Sequence, residues 1–258
     1  MFLQTNTVKA ELKRGGLVYG TSLADCLDPE MPLILAAAGL DFFFVDTEHS
    51  PAGYGQIRAI CRSARAANVI PLVRITVNNS ALISRALDVG AMGVIVPQIR
   101  SAAEARAAMD AMKFPPAGHR GYGLGSIITD LKSTSAPDEV ISANKETLAV
   151  MMIESVEGVQ AVDEIAGVPE VDALFIGPYD LSLALGILEQ FDHPLFWEAV
   201  EKVITAGKKA GVAVGMQSAR MPMLRRAKEM GARFLMYASD VSILLNGYRN
   251  GIAELKSV

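Results

Sequence analysis

Cysteine is scarce in this chain of 258 residues: Cys26 and Cys61 are the two it has, and neither sits in a CxxC or similar pairing motif. That excludes a disulfide framework and a zinc–thiolate centre, and both read as buried, reduced thiols. Dense runs of one charge are also missing. The 24 lysines and arginines are scattered against 28 acidic residues, a formal net charge of −4, so there is no electrostatic footprint for nucleic acid or an anionic membrane. No apolar run reaches the roughly 20 residues of a membrane span. The most apolar stretch, LILAAAGLDFFFVD, is broken by Gly39, Asp41 and Asp46. The first residues, MFLQTNTVKAELKRGG, lack the apolar stretch of a signal peptide and read as an ordinary helix, so a cytoplasmic protein is expected.

What is present is a high apolar content, 51% hydrophobic residues, enough to exclude disorder. Eight short runs stand out as strands: 17–20, 41–46, 70–75, 93–97, 148–154, 171–177, 212–215 and 233–237. Each is nearly continuous in apolar residues, as strands buried on both faces of a parallel sheet require. Helical patterns separate them, several closing on glycine at 39, 90, 167, 211 and 231, where a left-handed cap is expected. Strict alternation of eight such pairs predicts an α/β protein of the (β/α)8 TIM-barrel type, a single domain over residues 1–258. A doubly wound open sheet is the competitor, but no early G-x-G-x-x-G follows a strand. The intervals 98–147 and 178–211 are unusually long and lie where strands end, the end at which such barrels build their sites.

Polar residues gather at those ends: Asp46, Glu48 and His49 after the second strand, Arg74, Gln98, Glu154, Asp180, Gln217, and Ser239 with Asp240. Ser239 and Asp240 read as helix caps. Capping does not account for Arg74 or Glu154, long charged side chains ending apolar strands that need partners if buried. Glu154 and Asp180 come one βα unit apart. Two carboxylates converging there would repel unless a hard divalent cation lay between them; the other reading is that each caps a helix or meets a lysine. Asp46 lies three residues before His49, and a carboxylate on one imidazole nitrogen would leave the other for proton transfer. A purely structural His49 is equally open. His193 reads as a helix start, and His119, in a glycine-rich loop, has no assigned role.

At these residues the chain resembles the metal-dependent, class II pyruvate aldolases of the HpcH/HpaI aldolase and citrate lyase superfamily. The matching stretches include DFFFVDTEHSP, PLVRI, ALDVGAMGVIVPQI, PPAGHRGYG, MIESVEGVQAVDEIAGVPEVDALFIGPYDLSLALG and GARFLMYASD, in order over about residues 17–240. The resemblance implies a pyruvate-binding barrel in which Glu154 and Asp180 hold Mg2+, Mn2+ or Co2+ and Arg74 lies against the keto oxygen. Backbone amides of the segment Gly177, Pro178, Tyr179, Asp180 (proline itself having no N–H) would receive the substrate carboxylate, with His49 and Asp46 serving proton transfer. It also implies a homohexamer, a dimer of trimers, with Asp88 contributed at a subunit boundary and the last helix, about 240–256, exchanged between subunits. On its own, Asp88 reads as an ordinary helix-end aspartate. One departure is Met152, where such enzymes usually carry glutamine.

The expected reaction is reversible cleavage of a 4-hydroxy-2-oxo acid, a keto-deoxy sugar acid or hydroxy-oxo diacid, to pyruvate and an aldehyde. A Schiff-base lysine is the chemical competitor, yet none of the eight strands contains a lysine. Decarboxylation of oxaloacetate through the same enolate is the alternative function, and a non-catalytic binding protein a remote one.

Overall fold

The structure is a computed structural model that describes residues 4–123 and 135–257. Eight strands, β1 (Val18–Leu23), β2 (Phe42–Asp46), β3 (Ile70–Arg74), β4 (Gly93–Val96), β5 (Leu148–Ile153), β6 (Ala173–Ile176), β7 (Ala213–Ser218) and β8 (Phe234–Ser239), form one closed barrel. Every neighbouring pair is parallel and the strand order follows the chain. All eight runs expected from the sequence are therefore strands of a single-domain TIM barrel. β1 and β8 continue further than their apolar runs, and β5 stops at Ile153, leaving Glu154 just beyond it.

The continuous apolar runs follow from burial on both sides. Alternate residues point to opposite faces of a strand: Phe42, Phe44, Leu72, Met152, Phe175 and Phe234 fill the barrel interior, and Phe43, Val45, Val73, Ile153 and Ile176 face the surrounding helices. Inside, the Phe42 and Phe234 rings stack at 4.4 Å and Phe175 meets Phe234 edge-on at 5.7 Å. Helix α1 (Thr7–Lys13) lies against the end where strands begin, and its Val8 and Leu12 join the interior cluster. Lys9 anchors it there, donating from Nζ to the Thr147 carbonyl at 2.7 Å and to Asp172 Oδ2 at 2.8 Å.

The connecting helices are α2 (Met31–Ala37), α3 (Tyr54–Ala67), α4 (Ser80–Asp88), α5 (Ala102–Met112), α6 (Ala136–Glu146), α7 (Val156–Gln160), α8 (Val162–Ala166), α9 (Pro178–Ala184), α10 (Pro194–Ala210), α11 (Met221–Met230) and α12 (Asp240–Lys256). The two long intervals hold α5 with α6, and α9 with α10. Gly39, Gly90, Gly211 and Gly231 take the left-handed conformation expected of them. Gly167 does not: its φ is −77°, and the reversal after α8 falls on Glu170 at φ 65°. Ser239 caps α12 as expected, accepting from the Ser242 amide. Asp240 instead turns outward from that role. Its Oδ2 accepts from the amides of Ala24, Asp25 and Cys26 at 3.0, 3.0 and 2.7 Å, tying α12 to the loop after β1. Asp240 is the buried residue of α12; Leu244, Leu245, Tyr248 and Ile252 are exposed. Cys61 is buried, but Cys26 is only half-buried, because the loop that carries it lies at the barrel rim. Among the described residues no helix is long and apolar enough to cross a membrane.

Candidate active site

Parallel pairing sets Asp46, the last residue of β2, beside Arg74, the last residue of β3. Their side chains meet at two points, Nε to Oδ1 at 2.9 Å and Nη2 to Oδ2 at 2.6 Å. Arg74 Nη1 also lies 3.3 Å from Glu48 Oε2, and the guanidinium sits over the Phe44 ring at 5.4 Å. Burial works against the Arg74 charge, but the hydrogen bonds and charge of Asp46 outweigh it and hold the group above its ordinary value. The long side chain at the strand end thus has the partner that its burial demands.

His49 is arranged differently from the expectation. Asp46 is taken up by Arg74 and touches the histidine only through its backbone amide, at 3.5 Å. The imidazole, 65% exposed, has Nε2 at 4.0 Å from Glu48 Oε2. The three-residue spacing allows a carboxylate–imidazole pair. Register pairing across the sheet brings Arg74 to Asp46 instead, and a two-point charged contact is the stronger one.

Glu154 is buried and its Oε1 accepts the Gln98 amide at 2.7 Å. To deliver that amide Gln98 adopts φ 52°, outside the usual range for a residue with a side chain. Burial pushes the Glu154 carboxyl up to about 7, with Asp180 and Glu48 adding repulsion against the Gln98 amide and Arg74. Glu48 is also raised, by burial first, against the pull of Arg74 and His49. Asp180 sits in the first turn of α9, whose N-cap is Gly177. A Cβ on Gly177 would fall 2.3 Å from Glu154 Oε2, so glycine there is what lets the carboxylate lie against the start of α9. The Gly177 amide is given to the Ile153 carbonyl at 3.3 Å, and proline has no amide hydrogen. Of the four residues expected to bind a carboxylate through their amides, Tyr179 and Asp180 therefore keep a donor that no described residue takes up.

These groups line a cavity of about 450 Å3 at the end of the barrel where strands finish. Phe44, Met152 and Phe175 form its apolar floor; Asp46, His49, Arg74, Glu154, Gly177, Pro178, Tyr179, Asp180 and Gln217 line it above. Among the described residues no lysine lines it, and buried Lys9 lies at the opposite end, on Asp172. Asp88 is the predicted site residue not brought in. It ends α4, and its Oδ1 is held at 2.6 Å by Arg120, a buried guanidinium over the Phe114 ring at 4.7 Å. His119 is exposed, paired with Asp110 at 2.6 Å, and His193 caps α10 through its ring.

Residue type and spacing alone assign no role to Glu48 or to the Gln98 amide. An acidic residue two positions after Asp46 was a legible signal for Glu48. Gln98 acts through its backbone, which leaves no trace in residue type.

Asp46, Glu48 and Glu154 act on one guanidinium, Arg74, and Asp180 adds its charge beside Glu154 and Glu48, which leaves an excess of negative charge in a site that burial makes costly. Among the described residues no three His, Cys, Asp or Glu side chains converge to hold a metal by themselves. Two carboxylates with open positions beside them suit a hard divalent ion that keeps waters or takes oxygen ligands from a substrate.

An arginine and acidic residues gathered at the strand ends of a TIM barrel lie where barrel enzymes build their active sites. The family model for HpcH/HpaI aldolase/citrate lyase matches residues 25–247. The hydroxypyruvate/pyruvate aldolase of Roseovarius nubinhibens is 33% identical over 253 residues, covering 98% of each chain. The 4-hydroxy-2-oxo-heptane-1,7-dioate aldolase of Salmonella paratyphi C is 33% identical over 242 residues, 94% of this chain and 90% of that one. The crystal structure of an HpcH/HpaI aldolase from Desulfitobacterium hafniense matches with a TM-score of 0.93 at 37% identity, covering 97% of each chain. The chain belongs to the HpcH/HpaI aldolase/citrate lyase family and is a carbon–carbon lyase.

Proposed function

We propose that the enzyme cleaves and forms the C3–C4 bond of a 4-hydroxy-2-oxo acid, giving pyruvate and an aldehyde, with a divalent cation held by Glu154 and Asp180. The observation that carries this is the charge imbalance: Asp46, Glu48 and Glu154 share one guanidinium, and Asp180 faces Glu154, whose carboxyl burial pushes up to about 7. A bound divalent cation would supply Lewis acidity at the 2-keto oxygen. Arg74, its Nε–H and one Nη2–H given to Asp46, keeps other Nη hydrogens for the negative charge that develops on that oxygen. The amides of Tyr179 and Asp180 receive the substrate carboxylate. His49 takes the proton of the 4-hydroxyl as the C3–C4 electron pair moves toward C2, and Glu48 beside it steadies the imidazolium. Reprotonation at C3 completes pyruvate.

The reading extends to assembly. Asp88 lies away from its own cavity, and α12 leaves its apolar face uncovered, both as a hexamer with shared sites and an exchanged last helix would have them. Two unpaired cysteines suit a cytoplasmic location.

The test is direct. Pyruvate with an aldehyde panel should give aldol products, EDTA should abolish them, and Mg2+, Mn2+ or Co2+ should restore them. Glu154→Gln and Asp180→Asn should each weaken Mn2+ binding measured by calorimetry. Covalent trapping of pyruvate on a lysine by borohydride would overturn the reading.

A further inference from the structure

Three apolar side chains close the barrel beneath the active-site cavity. Phe44, Met152 and Phe175 belong to the interior cluster, are at most 2% exposed, and all line the cavity. Met152 and Phe175 are paired in register across β5 and β6, so their side chains lie side by side. Phe44 comes from β2, with the Arg74 guanidinium over its ring at 5.4 Å. The charged groups form a separate layer above this floor. Glu154 follows Met152 by two residues, which carries it roughly 7 Å further toward the mouth.

The floor has little to offer a polar group. Two of its members are phenylalanines and the third is a thioether, a weak acceptor that donates nothing. The Met152 carbonyl is already taken by the Ile99 amide at 3.1 Å. Across the cavity Gln217 gives its side-chain amide hydrogens to Ser22 Oγ at 2.7 Å and to the Ala238 carbonyl at 2.5 Å, so it keeps no donor to turn toward the floor.

A 2-oxo acid in this cavity divides between the two layers. Its carboxylate and keto oxygen are the groups drawn to Arg74, to the Tyr179 and Asp180 amides and to a cation at Glu154, which leaves C3 for the apolar side chains. A methyl or methylene there removes apolar surface from water. A hydroxyl on C3 would give up its water for phenyl rings and a thioether, a loss of roughly 10- to 100-fold in affinity.

We propose that this floor selects the nucleophilic half of the reaction: 2-oxo acids whose C3 carries only hydrogen or alkyl, with Met152 as the residue that sets the preference. The proposal rests on the aldolase reading above and adds to it a class of nucleophile. Met152 is the adjustable member of the three, because an unbranched thioether can turn aside for one further methyl group while two rings hold their places.

The deciding pair is 2-oxobutanoate and 3-hydroxypyruvate, nearly equal in size and differing by a methyl against a hydroxyl on C3. With Mg2+ saturating and no aldehyde present, calorimetry should show 2-oxobutanoate bound at least tenfold more tightly. With glycolaldehyde as the common partner, kcat/KM should favour it by the same margin. Met152→Gln, which keeps the length of the side chain and adds a donor and an acceptor, should lower both ratios at least tenfold. The smaller Met152→Thr should shift them the same way, and Met152→Leu should keep them within threefold. Equal binding of the two acids, a preference for 3-hydroxypyruvate, exclusion of both while pyruvate binds, or ratios unmoved by the polar variants overturns the proposal. Failure of the aldolase reading shows separately, as absence of deuterium exchange into the pyruvate methyl group by the unsubstituted enzyme. In that case the binding ratio still decides whether the floor discriminates at C3.

Discussion

Asp46 and Arg74 close a two-point ion pair across adjacent strands, Nε to Oδ1 at 2.9 Å and Nη2 to Oδ2 at 2.6 Å. Asp46 therefore orients the arginine rather than the histidine three residues after it. Arg74→Ala should lower turnover about 100-fold, the scale of losing one preorganised oxyanion donor. In a double-mutant cycle on kcat/KM, Asp46→Asn and Arg74→Ala should be coupled by about 1 kcal/mol or more, and Asp46→Asn and His49→Ala should add to within about 0.5 kcal/mol. The reverse pattern would return Asp46 to the histidine.

Gly177 has φ −88°, which any residue adopts, so the demand for glycine there is spatial. Its Cβ would fall 2.3 Å from Glu154 Oε2 and 2.9 Å from Glu154 Cβ. Gly177→Ala should displace the carboxylate and cost about 100-fold in turnover, the usual effect of an ångström of misplacement. Mn2+ binding should weaken in parallel, while the thermal midpoint moves little. Unchanged kinetics would show that Glu154 has room to yield.

Asp88 cannot serve its own cavity from the end of α4, where Arg120 holds it. If sites are shared, mixing Asp88→Ala subunits with Glu154→Ala subunits under conditions that allow exchange should regain activity from two inactive preparations. Mixtures that stay inactive despite exchange shown by mass labelling would confine each site to one chain.

Lys9 predicts a pH dependence of stability. Its folded value is lowered to about 8, chiefly by burial and against the pull of Asp172, from an ordinary 10.5. Between those values the unfolded chain binds the proton more readily, so the Lys9 contribution to stability rises with pH from about 8 to 10.5 and is flat below. Urea midpoints at pH 7 to 10, compared with Lys9→Met, should show the difference growing across that window. At pH 7 the substitution should also cost about 3 kcal/mol, because Asp172 is left buried without its partner. A difference that shrinks with rising pH would contradict this.

The barrel was legible because its physics is local and periodic. Strands buried on both faces must be apolar throughout, as DFFFVD and LAVMMI are, and helices between them must start on caps and stop where the chain turns. Residues at strand ends share a location by topology alone, so Arg74, Glu154 and Asp180 could be placed in one cavity from the sequence. Which of them touch is a matter of register and depth. The sequence distance of three residues leaves Asp46 with His49 open, while the pairing of β2 with β3 gives Asp46 to Arg74. Gly167 and Glu170 show the same limit on a smaller scale, since either could reverse the chain and the packing of α8 selected the second. The Gln98 amide on Glu154, and Arg220 over Phe191 and Arg226 over Trp197, depend on backbone direction and on how separate elements pack. Periodicity determines what is buried; only the closed barrel determines which charges face one another, because that depends on distances between strands that no single segment encodes.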